Sequence, residues 1–102
     1  MTWESHRRND RIHIAVAVRI TGIDPLGQTY DREAWTLDVS GSGACIHIPD
    51  DLAITRRIHV RSEDYQFHAD ADVDVVWERS FPQRAIGVRV LPGTPPTAWE
   101  AR

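Results

Sequence analysis

Apolar and polar residues alternate along most of the chain. Between residues 12 and 20 the apolar face holds Ile12, Ile14, Val16, Val18 and Ile20. Most of these side chains are β-branched, and both the branching and the period of two residues are typical of a half-buried strand. We therefore predict the first strand over residues 12–20.

Five more segments have strand character, and turn residues separate them. The predicted strands lie at about Thr29 to Val39, 44–48, 57–61, 67–75 and 85–91. Glycine, proline and aspartate mark the turns between them, and no segment has a convincing amphipathic helical pattern. These features predict an all-β fold, either a small antiparallel barrel or a sandwich.

The fourth and fifth segments predict a hairpin with complementary charges. The polar positions of the fourth are Arg57, His59 and Arg61, and those of the fifth are His68, Asp70, Asp72 and Asp74. Antiparallel pairing places the basic row opposite the acidic row, and each opposite-charge pair adds about 0.2–1 kcal/mol. The charges thus define the solvent face and disfavour a one-residue slip.

The ends of the chain lack this periodicity. We interpret residues 1–11 as a flexible arginine-bearing arm, because the segment is terminal and polar. Residues 12–91 form the predicted β domain. Residues 92–102 begin with a proline- and glycine-rich stretch, which predicts either a loose tail or a short helical turn.

Length, charge and cysteine content exclude several classes of protein. With 102 residues and a formal charge of −3, the chain has the size of one domain and lacks the basic surface of a nucleic-acid-polymer binder. The single Cys45 excludes an intrachain disulfide. No apolar run is long enough for membrane insertion, and the N-terminus has no signal-peptide pattern, so we expect a cytoplasmic protein.

Two polar segments carry the candidate chemistry. The predicted arm contains Arg7, Arg8 and Arg11, and the corner after the second strand contains Asp38, Ser40 and Gly43. Guanidinium groups match phosphate oxygens and the O6/N7 edge of guanine, and a carboxylate matches two parallel N–H donors. Each segment alone is more simply a basic arm or an ordinary turn. Together in space they would suit a guanine nucleotide with phosphates close by.

The combination of Arg-x-x-x-Arg at residues 7–11 and Asp-x-Ser-x-x-Gly at residues 38–43 resembles the paired signature of the PilZ domain. The segments Trp35-Thr36-Leu37, Val75-Val76-Trp77 and Ile86-Gly87-Val88-Arg89-Val90 extend the resemblance, which covers about residues 7–91. It implies a small six-stranded antiparallel β-barrel. It also implies a bacterial receptor for cyclic di-GMP rather than an enzyme.

The resemblance implies a role for each site residue. Arg7 and Arg11, helped by Arg8, would bind phosphate oxygens and guanine, while Asp38 would accept from the guanine N1–H and amino group. Ser40 would add a hydrogen bond, and Gly43 would let the ligand approach the main chain. Ligand binding would order the arm, and the new surface would engage a downstream protein partner. The alternative is a protein-interaction module of PilZ type that works without the nucleotide.

Other motifs predict no further site. The run Asp70-x-Asp72-x-Asp74 lacks the glycine and glutamate of a calcium loop, and the five histidines lack metal-ligand spacing, so we expect no metal and no cofactor. Ser40 and Ser42 lie in no nucleophile motif. Cys45 is interpreted as a small core residue. Trp35 and Trp77 are assigned to the core or rim, where a tryptophan near the site could stack on a purine.

Overall fold

The computed structural model describes residues 11–102, and β-strands account for most of that range. The strands are β1 (Ala17–Ile23), β2 (Thr29–Val39), β3 (Gly43–His47), β4 (Arg57–Glu63), β5 (Phe67–Arg79), β6 (Ala85–Val90) and β7 (Trp99–Ala101). A 3₁₀ turn at Pro96–Ala98 precedes β7. Within residues 11–102, no helix has the length and apolar character needed to cross a membrane.

The first six strands close into a barrel in the order β1-β2-β3-β6-β5-β4, and β4 pairs back onto β1. Every neighbouring pair is antiparallel. Closure pairs strand edges that would otherwise be exposed. The predicted six-stranded antiparallel barrel is confirmed.

The core lies inside this barrel and is built from the alternating apolar positions. The largest fully buried side chains include Phe67, Ile20, Ile46, Ile58 and Ile86. Each comes from a different strand, so the inward faces of β1, β3, β4, β5 and β6 meet in one cluster. Burial of these side chains is the main favourable term in folding.

The first strand differs from its prediction in where regular pairing begins. Burial alternates from residue 12 as expected, but β1 starts only at Ala17. The buried hydroxyl of Thr36 causes the interruption. It accepts a hydrogen bond from the Val16 amide at 2.8 Å and donates to the Ile14 carbonyl at 2.7 Å. A side chain of β2 thereby supplies hydrogen bonds to this segment, beside backbone bonds such as that from the Thr36 amide to the Val16 carbonyl at 3.0 Å.

The predicted hairpin, with the basic positions of β4 opposite the acidic positions of β5, is confirmed. Arg57 lies opposite Asp74 and Arg61 lies opposite Asp70. The Arg57 Nε donates to Asp74 at 3.1 Å. The opposed charges lie on the exposed face of β4 and β5, as their sequence alternation indicated.

His59 stands in the middle of this face and bridges two carboxylates. Its Nδ1 lies 2.7 Å from Asp72 and its Nε2 lies 2.7 Å from Asp70. Partial burial lowers the pKa of His59, but the hydrogen bonds to Asp72 and Asp70 and their negative charges outweigh it. The net result is a raised pKa.

We expect His59 to stabilise the fold more at acid pH. Because folding raises its pKa above 6.5, this contribution is fully present below pH 6.5 and is lost as pH rises through the folded-state pKa. Urea denaturation of wild type and His59→Gln at about pH 5.5 and about pH 8.5 tests this. The difference in unfolding free energy between the two proteins should be larger at the acid pH. An equal difference at both values would show that His59 does not carry this dependence.

The C-terminal residues form more regular structure than the loose tail or the short helical turn expected from the sequence. After the 3₁₀ turn, β7 pairs with the beginning of β5, and Phe67 lies opposite Ala101. The Arg102 amide donates to the Gln66 carbonyl at 2.8 Å. The segment left open as a tail or helical turn therefore contains a turn and a seventh strand.

Candidate functional site

Arg11 and Asp38 lie side by side although 27 residues separate them. Ile12 and Val39 form an antiparallel bridge, with N···O distances of 2.7 and 2.9 Å, which brings residue 11 to the end of β2 and makes Asp38 its diagonal neighbour across the pair. The Arg11 Nη1 donates to Asp38 Oδ1 at 2.6 Å. The side chain of Asp38 is only 16% exposed, whereas that of Arg11 is 56% exposed. One face of the guanidinium thus remains open to a ligand.

A bulge in β2 places Asp38 on the outer face of the barrel. Ala34 and Thr36 point into the barrel, and regular alternation would send Asp38 inward as well. The register of β2 against β3 instead shifts between Thr36 and Asp38, leaving Leu37 as the extra residue. Since one extra residue reverses every following side chain, Asp38 faces out and Val39 faces in.

A second bulge does the same for Trp77 in β5. Val73 points inward, and regular alternation would bury Trp77 too. The register against β6 shifts between Val75 and Trp77, with Val76 as the extra residue. Trp77 is therefore 41% exposed, and its indole lies over Gly87, where any Cβ would overlap the ring. Trp35, on the outer face of β2, is likewise half-exposed, so neither tryptophan belongs to the core.

The two bulges flank one continuous row of outward positions. Asp38 pairs with Cys45, Cys45 with Gly87 and Gly87 with Trp77. The row crosses β2, β3, β6 and β5 and ends in a carboxylate on one side and an indole on the other. The Arg79 guanidinium lies 5.8 Å from the Trp77 ring and adds positive charge beside it.

The turn between β2 and β3 is held by its own hydrogen bonds. The Ser40 amide donates to the Gly43 carbonyl at 2.8 Å. The Ser40 hydroxyl donates to the same carbonyl at 3.3 Å and accepts from the Ser42 amide at 3.3 Å. Ser40 itself is 4% exposed. Its first role is therefore to shape the turn, as hydroxyl side chains do in such corners.

Gly43 is required by the spacing of β3 and β6. It pairs with Arg89, and a Cβ at Gly43 would overlap the Val88 carbonyl oxygen. The absent side chain lets the start of β3 approach the neighbouring backbone of β6 closely. The close packing of β3 against β6 is therefore a reason for glycine at position 43 that does not depend on a ligand.

A cavity of about 270 Å³ opens between the turn and the second bulge. It is lined by Arg11, Ser40, Ser42, Gly43, Ala44, Val76, Trp77, Gly87, Val88 and Arg89. Arg89 is exposed and, within residues 11–102, forms no ion pair. The lining therefore combines two guanidinium groups, two hydroxyls and an indole face, which suits a planar anionic ligand.

Comparison with known protein families matches residues 5–100 to the PilZ domain. The chain belongs to the PilZ family. Its members are binding and effector modules generally associated with cyclic di-GMP. A search of curated proteins and a search of solved structures each found no match to this chain.

The PilZ motif residues that the structure describes converge on one place. Arg11, Asp38, Ser40 and Gly43 lie on or beside the cavity, whereas Arg7 and Arg8 lie outside the described residues. Sequence reasoning missed Arg89. The signal available was its outward position in β6, two residues after Gly87, which only the pairing with Gly43 connects to the site.

Cys45 is buried as predicted but does not belong to the inner core cluster. It lies in the outward row between Asp38 and Gly87 and is 5% exposed. Burial, and after it the negative charge of Asp38, raises the pKa of the thiol. The thiol is therefore neutral at physiological pH. Within residues 11–102, no group of three histidine, cysteine or acidic residues could hold a metal ion.

Proposed function

We propose that this PilZ domain is a receptor for cyclic di-GMP, which it binds at the cavity beside Arg11 and Asp38. The observation that supports this most directly is the ion pair of Asp38 with Arg11, which lines the cavity. The Arg11 guanidinium can donate to phosphate oxygens or to the O6 and N7 acceptors of guanine. The Asp38 carboxylate can accept from the N–H groups of guanine. A guanine base with a nearby phosphate needs both groups within one molecular width.

Ligand binding would exchange the internal ion pair for contacts with the nucleotide. Arg11 donates to a phosphate oxygen or to guanine O6 and N7, because its planar fork fits either geometry. Asp38 accepts from the guanine N1–H and amino group. The two groups are already adjacent, so binding has to open their ion pair but does not have to bring them together.

The remaining lining residues complete the proposed contacts. Trp77, whose indole packs against Gly87, is 41% exposed and offers an aromatic contact for a guanine base. Arg89 supplies a second cation beside the turn. Ser40 adds a hydroxyl, and Gly43 keeps the approach to the main chain open.

The output is proposed to involve the N-terminal residues and a partner protein. Arg7 is four residues before Arg11, which places it within about 14 Å of the site along the chain. We propose that Arg7 and Arg8 close on the bound phosphates, that the arm orders as they do, and that the resulting surface engages a downstream protein. Ordering of a segment by a ligand is an established form of switching.

Isothermal titration calorimetry with cyclic di-GMP tests the proposal. We expect a dissociation constant of about 1 μM or lower, which corresponds to about 8 kcal/mol. Cyclic di-AMP serves as the control, since it has the same phosphates and lacks the guanine edge. Absence of saturable binding would refute the receptor function and favour the nucleotide-independent interaction module.

Asp38→Asn is expected to reduce discrimination between the two dinucleotides. The amide is similar in size to the carboxylate but turns one acceptor into a donor, which faces the donors of guanine. We expect binding of cyclic di-GMP to weaken about ten-fold or more, and that of cyclic di-AMP to change little. Asp31→Asn is the matched control, because Asp31 also accepts from an arginine at 2.7 Å, but its partner Arg19 does not line the cavity as Arg11 does. Equal losses for both nucleotides would show that Asp38 does not read the base.

A further inference from the structure

The C-terminal segment reaches the binding turn through Trp99. This side chain is only 5% exposed, and its ring meets Phe67 edge-on at a centroid distance of 4.9 Å. Its Nε1 donates to the Ser40 carbonyl at 2.9 Å. A residue 59 positions later in the chain therefore holds the first backbone carbonyl of the turn.

A second bond holds the same turn from the same side. The Val90 amide, at the end of β6, donates to the Ser42 carbonyl at 2.9 Å. The turn also closes internally, from the Ser40 amide to the Gly43 carbonyl. Of these three bonds, only the one from Trp99 comes from a side chain, so it is the one that a substitution can remove cleanly. Because the bond is buried, loss of the indole donor takes from the Ser40 carbonyl the hydrogen-bond partner that residues 11–102 give it.

A cavity of about 500 Å³ lies where the C-terminal segment passes the turn. Its lining includes Gly41 and Ser42 of the turn, Arg89, the segment from Leu91 to Pro96, and Trp99. Since Ser42 and Arg89 also line the proposed ligand cavity, the C-terminal segment and the binding site share two residues. Trp99 therefore lines a cavity that shares Ser42 and Arg89 with the proposed ligand cavity, and it bonds to the turn that carries Ser42.

We propose that Trp99 is a positioning residue for the Ser40–Gly43 turn, and that residues 91–102 are thereby part of the binding unit. The part of this inference that concerns affinity rests on the proposed function. The part that concerns the turn does not. The indole N–H fixes the Ser40 carbonyl, which fixes the direction of the turn and with it the neighbouring side chains that face the ligand.

Trp99→Phe separates the hydrogen bond from the packing, because phenylalanine keeps an aromatic ring against Phe67 but has no donor. We expect cyclic di-GMP affinity to fall about ten-fold with unchanged stoichiometry. In the ligand-free variant, hydrogen exchange of the Ser40 amide should accelerate by at least about ten-fold, while amides of β4 keep their wild-type rates.

Ile58→Val is the matched control for lost stability. Ile58 is buried in β4, away from the turn, and this substitution typically lowers stability modestly. It should leave both the affinity and the Ser40 exchange rate unchanged. If Ile58→Val weakened binding as much as Trp99→Phe did, the effect would be one of general stability and the positioning role would be wrong.

The other possible outcomes also decide whether Trp99 positions the Ser40–Gly43 turn. Wild-type affinity and wild-type Ser40 exchange in Trp99→Phe would overturn the inference. If the wild type itself does not bind cyclic di-GMP, the proposed function fails, and the Ser40 exchange rate alone decides whether Trp99 positions the turn. Should Trp99→Phe not fold, the wild-type indole N–H resonance serves instead. It should be slow to exchange and should shift on ligand binding, and a fast-exchanging, unshifted resonance would overturn the inference.

Discussion

Arg11→Ala is expected to weaken cyclic di-GMP binding by about ten- to one-hundred-fold, or roughly 1.4–3 kcal/mol. Among residues 11–102, Arg11 is the arginine that contacts the Asp38 carboxylate and also lines the cavity. Its removal takes away the donor for phosphate or guanine and leaves Asp38, which is mostly buried, without its cation. Titration calorimetry on the folded variant measures the loss directly.

Arg19→Ala is the control that makes this result specific. Arg19 is 53% exposed and donates to Asp31 at 2.7 Å, so the pair resembles Arg11–Asp38 in geometry and exposure of the arginine. It lies outside the cavity lining. Its removal should leave affinity unchanged, since exposed ion pairs contribute little.

Arg11→Lys should bind with intermediate affinity, because it keeps the charge and loses the planar fork. Equal affinities for wild type and Arg11→Ala would contradict the assigned role of Arg11.

Gly43→Ala is expected to lower the free energy of unfolding by about 3 kcal/mol. The added Cβ would overlap the Val88 carbonyl oxygen, which belongs to the backbone of the neighbouring strand and cannot rotate away as a side chain can. β3 and β6 would have to separate where Gly43 pairs with Arg89. Such a loss is a large part of the stability of a small domain. Urea denaturation monitored by circular dichroism measures it.

Gly27→Ala distinguishes close contact from backbone strain. Gly27 has a φ of 84°, and no neighbouring atom lies within 4 Å of the position that an added Cβ would take, so only the left-handed conformation opposes the substitution. We expect a cost of about 1–2 kcal/mol there. A Gly43→Ala variant no less stable than Gly27→Ala would mean that β3 and β6 separate easily. In that case the close approach at the turn would not be what selects glycine.

The strand plan could be predicted because side-chain alternation and charge complementarity act locally. The exposed charges of β4 and β5 indicated both their pairing and their outer face, and Arg57 does lie opposite Asp74. The same reasoning placed Ile58 and Phe67 inside the barrel, where both are buried. Closure of the barrel followed from the family resemblance rather than from the alternation itself.

The bulges could not be predicted, and they determine the site. Counting by two along β5 sends Trp77 inward after Val73 and Val75, and counting by two along β2 sends Asp38 inward after Thr36. In the structure, Leu37 and Val76 are extra residues in the register, and both Asp38 and Trp77 face outward. A bulge depends on pairing with the neighbouring strand, so its position is not encoded in the alternation of one strand.

The contact from Trp99 to Ser40 could not be predicted for a related reason. A tryptophan after a proline-rich stretch has no local pattern that predicts where its N–H points. Its partner is a backbone carbonyl 59 residues earlier, and the two meet only because β7 pairs beside Phe67 at the start of β5. Long-range contacts of single side chains to main-chain atoms require the assembled fold.

Chemical-shift mapping of the ¹⁵N-labelled chain during titration with cyclic di-GMP tests the central claim most directly, because it reports binding and location together. We expect saturable shifts in the amides of Asp38, Ser40, Gly43 and Arg89 and in the indole N–H of Trp77, with cyclic di-AMP producing none of comparable size. No saturable shifts, or shifts confined to the charged face of β4 and β5, would contradict a cyclic di-GMP site between Arg11, Asp38 and the Ser40–Gly43 turn.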